Sequence, residues 1–415
     1  MEAVKRKVKN RWLILLSAIG IHISIGSVYA FSVITEPVKT IFNVDASTIK
    51  WAFQITILVM GFSAALLGPW VSKIGPRKST LIAGMCYGLG FLGSGLAIYL
   101  NQLVLFFLCY GLIAGIGLGI GYITPVSVLV KWFPDRRGLA VGLVIMAFGF
   151  SSLIFGPLMQ YLFETVGAPN AFFILGSIYA VLILLSATYI ENPPNHVLNK
   201  GDDRSGHEES AMQTKNYSVN EVLRSKKFYY IWLMMFINIA CGIAIISEAS
   251  QISQLKLGYT PMQAAGVVGL IGAFNGLGRL FWSAFSDHFG RPITFTIFFI
   301  LEVVAFYFLA KIGSEFLFLG MMMLIITVYG GAFATLPAFL SDLFGTKHVG
   351  TILGMVLISK GFAGLVGPTI YDYVMEKTAS LDDTLMVFSV LFLVALTLSI
   401  AMILSIKKSS KVKLV

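Results

Sequence analysis

Long apolar stretches alternate with short polar breaks over the whole chain. A helix crosses a hydrocarbon core of ~30 Å in about 20 residues. Runs of that length predict helices over roughly 12–34, 50–71, 79–99, 103–130, 138–163 and 170–190, and then over 228–250, 262–285, 292–311, 315–340, 350–372 and 384–406. The break at 191–227 is different in kind, since it opens on Glu191-Asn192-Pro193-Pro194 and continues polar and charged to Lys227. The pattern therefore predicts an all-α polytopic membrane protein of twelve transmembrane helices in two six-helix bundles, residues 1–190 and 228–415, with 191–227 as a linker. A membrane β-barrel would instead show short alternating segments.

Composition agrees: 57% hydrophobic and 12% charged residues exclude an ordinary soluble domain. A net charge of +10 would suit a nucleic-acid partner, but its distribution gives it another meaning. With loops assigned alternately to two sides, 23 of the 30 Lys and Arg fall on the side of the termini and linker, five on the other (Lys39, Lys50, Lys256, Lys311, Lys377), and two inside helices. By the positive-inside rule this places both termini and the linker in the cytoplasm of a multi-pass protein of the cell membrane, with the lipid bilayer as partner and no nucleic acid. The first apolar run is long and lacks a small-residue cleavage site, so it reads as the first helix and not a signal peptide.

Several chemistries are not indicated. Cys86, Cys109 and Cys241 have no paired spacing, so neither a metal site, a disulfide nor a cofactor is implied. No HExxH occurs, and the histidines are scattered, so an intramembrane enzyme has no motif. Gly88-Leu-Gly90-Phe-Leu-Gly93 matches a dinucleotide fingerprint, but it lies inside an apolar span with no preceding strand and reads as helix packing.

Two cations lie deep in apolar spans: Arg279 in helix 8 and Lys360 near the middle of helix 11. Each costs about 2.5–3.5 kcal/mol to insert at a helix centre and so needs a compensating role. Glu302, in the middle of helix 9, is the one deeply placed acid of that half and can neutralise one cation at most. Glu248 and Asp372 lie toward the ends of their spans. The surplus positive charge calls for an anionic ligand. Asn275, one helical turn before Arg279, shares its face and can orient the guanidinium.

The two halves repeat each other. Pro125, Gly138, Gly142 and Gly149 precede Pro337, Gly350, Gly354 and Gly361 by 212 positions, and Gly156-Pro157 precedes Gly367-Pro368 by 211. At the 212 offset the counterpart of Lys360 is Phe148. Duplicated halves are a transporter architecture, with the site at their interface near the bilayer midplane.

The loop after helix 2, GPWVSKIGPRK, and its weaker copy after helix 8, SDHFGR, together with the Gly-Pro pair ending helix 5, resemble the signatures of the major facilitator superfamily. That resemblance implies gating roles for Lys73, Arg77, Asp287 and Arg291. Ser72 stands where an aspartate is usual, so the first copy is expected to latch more weakly than the second. GSVYAFSV in helix 1, KWFPDRRGLAVG between helices 4 and 5, FNGLGR in helix 8 and Lys360 itself further resemble the oxalate/formate antiporter family, relatives of the monocarboxylate transporters.

The superfamily's fold would bring helices 1, 4, 8, 10 and 11 around a central cavity. Arg279 and Lys360 would then share an anion site, with Tyr29, Tyr122 and Tyr329 as hydroxyls and aromatic walls. His22 and Glu302 would be candidates for proton coupling or charge compensation. The implied function is a secondary carrier of small organic carboxylates, by exchange or by proton-coupled monocarboxylate symport, working as a monomer. Animal monocarboxylate transporters typically carry an acid where Asn275 stands, and oxalate carriers aromatic residues where Val356 and Leu357 stand. These departures weigh against copying either relative's substrate scheme. A membrane sensor on the same fold would need a signalling domain, and 191–227 is too short for one.

Overall fold

The computed structural model describes residues 9–133, 137–194, 216–345 and 349–412. Most of the linker lies outside these residues, as do Pro134, Asp135 and Arg136 of the KWFPDRRGLAVG segment and the cations Lys5, Arg6, Lys7, Lys200, Arg204, Lys215, Lys347 and Lys413.

In chain order the long helices are α1 (Arg11–Phe42), α2 (Ala46–Ile74), α3 (Pro76–Tyr99), α4 (Leu103–Trp132), α5 (137–166) and α6 (168–189). The second half follows with α7 (Lys226–Leu257), α8 (Pro261–Phe289), α9 (Arg291–Lys311), α10 (Glu315–Phe344), α11 (Val349–Thr378) and α12 (Leu381–Val412). Helices α5 and α6 run on almost without interruption, divided at Gly167, whose φ of 77° is non-helical, with Pro169 two residues on. The twelve helices expected from hydropathy are thus present, and the first and last run longer than their apolar cores.

Local chemistry explains the boundaries. Gly75 and its repeat counterpart Gly290 take φ of 83° and 85°, left-handed angles that a side chain would oppose, and so turn the chain sharply between α2 and α3 and between α8 and α9. Thr260 caps α8 by accepting from the Gln263 N–H, while the Gln263 side chain accepts from the Thr260 N–H. Helix α1 is not uniform: GSVYA, Gly26–Ala30, tightens into a 3-10 turn that places Tyr29 on a break in the helix. Helix α4 contains a π-turn over Phe107–Ile113. Hydropathy alone predicts neither irregularity.

The halves meet along two seams, α2 against α11 and α5 against α8. Small residues make the close approach possible: a methyl built on Gly61 would lie 3.2 Å from Gly361, and one on Gly149 would lie 3.0 Å from Gly276. Two turns toward the termini on the same faces, Gly68 and Gly354 have nothing within 4 Å. Helices α2 and α11 therefore touch at mid-depth and on the far side, away from the termini, and part toward the terminal side. Gln251 of α7 reinforces the far-side closure by donating to the Ser32 carbonyl of α1 at 3.0 Å.

Candidate functional site

Lys360 lies where the α2–α11 seam begins to part, one residue before Gly361. It is 6% exposed, and no carboxylate stands within ion-pair distance of it among the described residues. Its Nζ instead faces three rings, Phe333 at 5.2 Å, Tyr122 at 5.4 Å and Phe148 at 6.0 Å from their centroids. A cation–π contact contributes about 0.5–2 kcal/mol, whereas taking an ammonium out of water costs several. Three such contacts offset part of that cost and leave the charge without a counter-ion among the described residues.

Arg279, on α8, is 4% exposed. Its Nε donates to Asn275 Oδ1 at 3.1 Å, the partner expected one turn earlier, and its Nη1 donates to the Ile145 carbonyl of α5 in the first half at 3.3 Å. A guanidinium has five N–H donors, so an edge remains without an acceptor among the described residues. The buried Asn275 Nδ2 is also unpartnered. Arg279 meets α5 at Ile145, three residues before Phe148, against which Lys360, Tyr29 and His22 pack, and Tyr329 meets Tyr29, so the five gather around one volume beside α5.

The three tyrosines border that volume. Tyr29 and Tyr329 face each other across the halves, their hydroxyl oxygens 3.2 Å apart. Phe148 stands at the centre of the wall, edge-on to Tyr29 at 5.0 Å and to Tyr122 at 5.6 Å, with His22 at 6.1 Å. The residue that repeats Lys360 in the first half thus packs against Lys360 itself. Tyr329 is held in place by Gly242 of α7, where an added methyl would overlap its ring. Gly242→Ala is therefore expected to push Tyr329 off Tyr29 and to destabilise the protein by about 1–3 kcal/mol, as overpacking does. A thermal-unfolding scan of the detergent-solubilised variant checks this.

The remaining expected residues fall elsewhere. Glu302 is buried on α9 and pairs with neither Arg279 nor Lys360, and its Oε2 has no hydrogen-bond partner among the described residues. The expected compensation fails because α9 packs against α10 and α12, behind the helices that line the seam. His22 is buried against Tyr122, ring centroids 5.4 Å apart, and neither ring nitrogen has a well-formed hydrogen bond. In the loop after α8, Arg291 pairs with Asp287 at 2.5 Å and Asp342 at 3.6 Å, both in its own half. Lys73 and Arg77 make no ion pair to the other half among the described residues.

One cluster was missed by the sequence. Lys50 does not sit in a far-side loop: it is 5% exposed on the first turns of α2, and its Nζ lies 2.8 Å from Glu248 Oε2 of α7 and 2.6 Å from Asp372 Oδ1 of α11. The available signal was three spans each carrying one charge at about the same depth. These two acids are committed to Lys50, which leaves them unable to neutralise Arg279 or Lys360.

The model of the Major Facilitator Superfamily matches residues 16–368. Among curated proteins, the chain is 28% identical to an oxalate:formate antiporter of Oxalobacter formigenes, over 86% of this chain and 83% of that one. It is 26% identical to YhjX, an uncharacterized MFS-type transporter of Escherichia coli K12, over 86% of each chain. It is 21% identical to monocarboxylate transporter 14 of Mus musculus, over 93% of this chain and 88% of that one. Among solved structures, the inward-open xylose transporter XylE of E. coli superposes with a TM-score of 0.74 over 95% of each chain, at 16% identity, a likeness of fold.

Proposed function

Because the chain belongs to the Major Facilitator Superfamily and is a multi-pass membrane transporter and not an enzyme, we propose that it carries small organic carboxylates by exchange, through alternating access of a site between its two halves. The observation that carries this reading is the pair of buried cations, Arg279 and Lys360, with no acid paired to either among the described residues. At about 4 Å and an effective dielectric near 20, each carboxylate contact contributes roughly 4 kcal/mol before desolvation. Arg279 offers a planar edge for bidentate recognition and Lys360 a point charge on a flexible stem. The Tyr29–Tyr329 pair supplies hydroxyls, and Tyr122 and Phe148 supply flat walls for a small planar anion. The names of two relatives, an oxalate:formate antiporter and a monocarboxylate transporter, point to the same ligand class.

Exchange follows from the same charges. An empty site must bring two cations together away from water before the halves can rock, whereas a loaded one does not. The basic surplus on the terminal side makes that side cytoplasmic, so α2 and α11 part toward the cytoplasm.

Labelled oxalate, formate, lactate and pyruvate offered to protein-containing liposomes test the reading. Uptake of at least one anion should be ~10-fold faster when the lumen holds an anion than when it holds none, a difference of about 1.4 kcal/mol in barrier. Uptake that is flat for every anion overturns it.

A further inference from the structure

On the far side of the seam, one ammonium holds two carboxylates that belong to the opposite half. Lys50 comes from α2, Glu248 from α7 and Asp372 from α11, and α7 and α11 pack on each other. Among the described residues the other groups facing the cluster are neutral: the Ser247 hydroxyl lies 3.4 Å from Glu248 Oε1, and the Tyr371 ring lies 5.2 Å from the Lys50 Nζ. Both carboxylates lie within 3 Å of one nitrogen, so they are close neighbours whose repulsion that nitrogen offsets. The cluster is thus asymmetric, with its cation on one half and both of its anions on the other.

This asymmetry has a consequence for a carrier whose halves separate on the far side, a step that rests on the alternating-access reading given above. When α2 moves away from α7 and α11, Lys50 leaves with the first half, and Glu248 and Asp372 stay together facing the far-side solution. Two adjacent carboxylates without a counter-ion hold a proton, because like charges that close cannot both remain ionised in a partly buried site. We propose that Glu248 and Asp372 form a proton-binding site, occupied by the Lys50 ammonium when the far side is closed and by a proton from the far-side solution when it is open. Lys50 acts as a tethered competitor for that proton.

The open state then binds one proton more than the closed one, so acid on the far side favours opening, and the dependence requires both carboxylates. A readout independent of any substrate tests this. Gln251, whose amide bridges α7 to α1 on the far side, is replaced by cysteine in protein whose Cys86, Cys109 and Cys241 are replaced by serine. Labelling by a membrane-impermeant maleimide from the far side is followed in liposomes, against a free-thiol standard that corrects for the maleimide's own pH dependence.

Between about pH 8 and about pH 5.5, labelling of the protein with all three charges should rise ~10-fold, as linkage to one proton or more allows. Asp372→Asn leaves a one-to-one Lys50–Glu248 pair with no second carboxylate to repel, and should cut the rise to less than ~2-fold. Glu248→Gln with Asp372→Asn leaves Lys50 unpaired and should give fast labelling at every pH. Labelling that ignores pH with all three charges present, or a doubly neutralised variant that keeps the full pH profile, overturns the proposal. Should the double variant fail to fold, the loss of the pH-dependent rise in Asp372→Asn decides. If labelling follows this course while no carboxylate is exchanged, the substrate reading fails and the proton site stands.

Discussion

Replacing Arg279 by lysine is expected to cut carboxylate exchange at least ~30-fold, although the charge is kept. The guanidinium does three things from one position: Nε is fixed by Asn275, Nη1 reaches the Ile145 carbonyl of the other half, and the remaining edge faces the site. A lysine supplies one point of charge on a flexible stem, so it cannot hold both protein partners and still offer two parallel bonds to a carboxylate. A hydrogen bond to a charged group contributes about 1.5–3 kcal/mol, and loss of one near 2 kcal/mol corresponds to ~30-fold in rate. Arg279→Gln, which also removes the charge, should lower exchange beyond ~100-fold, on the same scale. Initial rates of anion exchange in liposomes, with size-exclusion profiles to show intact protein, decide the matter. Wild-type rates in Arg279→Lys would mean that the fork is not the recognition element.

Hydropathy determined most of the architecture because a bilayer leaves few solutions. Every backbone group must be satisfied within its own span, so length and apolarity nearly suffice to place a helix. Arg279, Asn275 and Lys360 were legible for the same reason: a polar group in a hydrocarbon span is costly enough to stand out. Glu302 stood out equally, and its expected pairing failed because helix order along the chain does not say which helices lie behind the seam. Lys50 was illegible for a different cause. A lysine at the edge of an apolar run looks like a solvated loop residue, and the matching depth of Glu248 and Asp372 gains meaning only once the structure shows Lys50 buried against them on a helix that begins at Ala46. The break at Tyr29 and the contact of Tyr29 with Tyr329 are three-dimensional facts that no single span encodes.

Position by position, the repeat shows how the proposed site would be divided between the halves. The first half contributes rings and a hydroxyl, Phe148, Tyr122 and Tyr29. The second contributes the charges, Arg279 and Lys360, with Tyr329. Rocking one half on the other would therefore change how well the charges are covered, since Tyr122, Phe148 and the Ile145 carbonyl lie on the opposite half while Phe333 and Asn275 move with the cations. That arrangement makes the occupancy of the site and the position of the halves interdependent, which is what exchange requires.

Lys360→Gln separates recognition from exchange. Glutamine keeps polarity and approximate length but removes the charge that opposes occlusion of the empty site. Exchange of a dicarboxylate should fall ~100-fold, because one of its two carboxylates loses a contact of roughly 4 kcal/mol before desolvation, a loss that resolvation of the free anion reduces only in part. Transport of a monocarboxylate, which Arg279 satisfies alone, should change by less than about 5-fold, or about 1 kcal/mol. The empty carrier should return more readily, since Arg279 then faces the closed site alone. Uptake of a monocarboxylate into anion-free liposomes should therefore approach the rate seen with a loaded lumen, bringing their ratio from ~10 toward about 1. Measuring both rates in one preparation makes the ratio independent of how much protein is active. A variant that exchanged dicarboxylates at the wild-type rate, or kept the wild-type ratio, would show that Lys360 neither binds the second carboxylate nor restrains the empty carrier. The phenylalanine cage around its ammonium would then be the whole of its role.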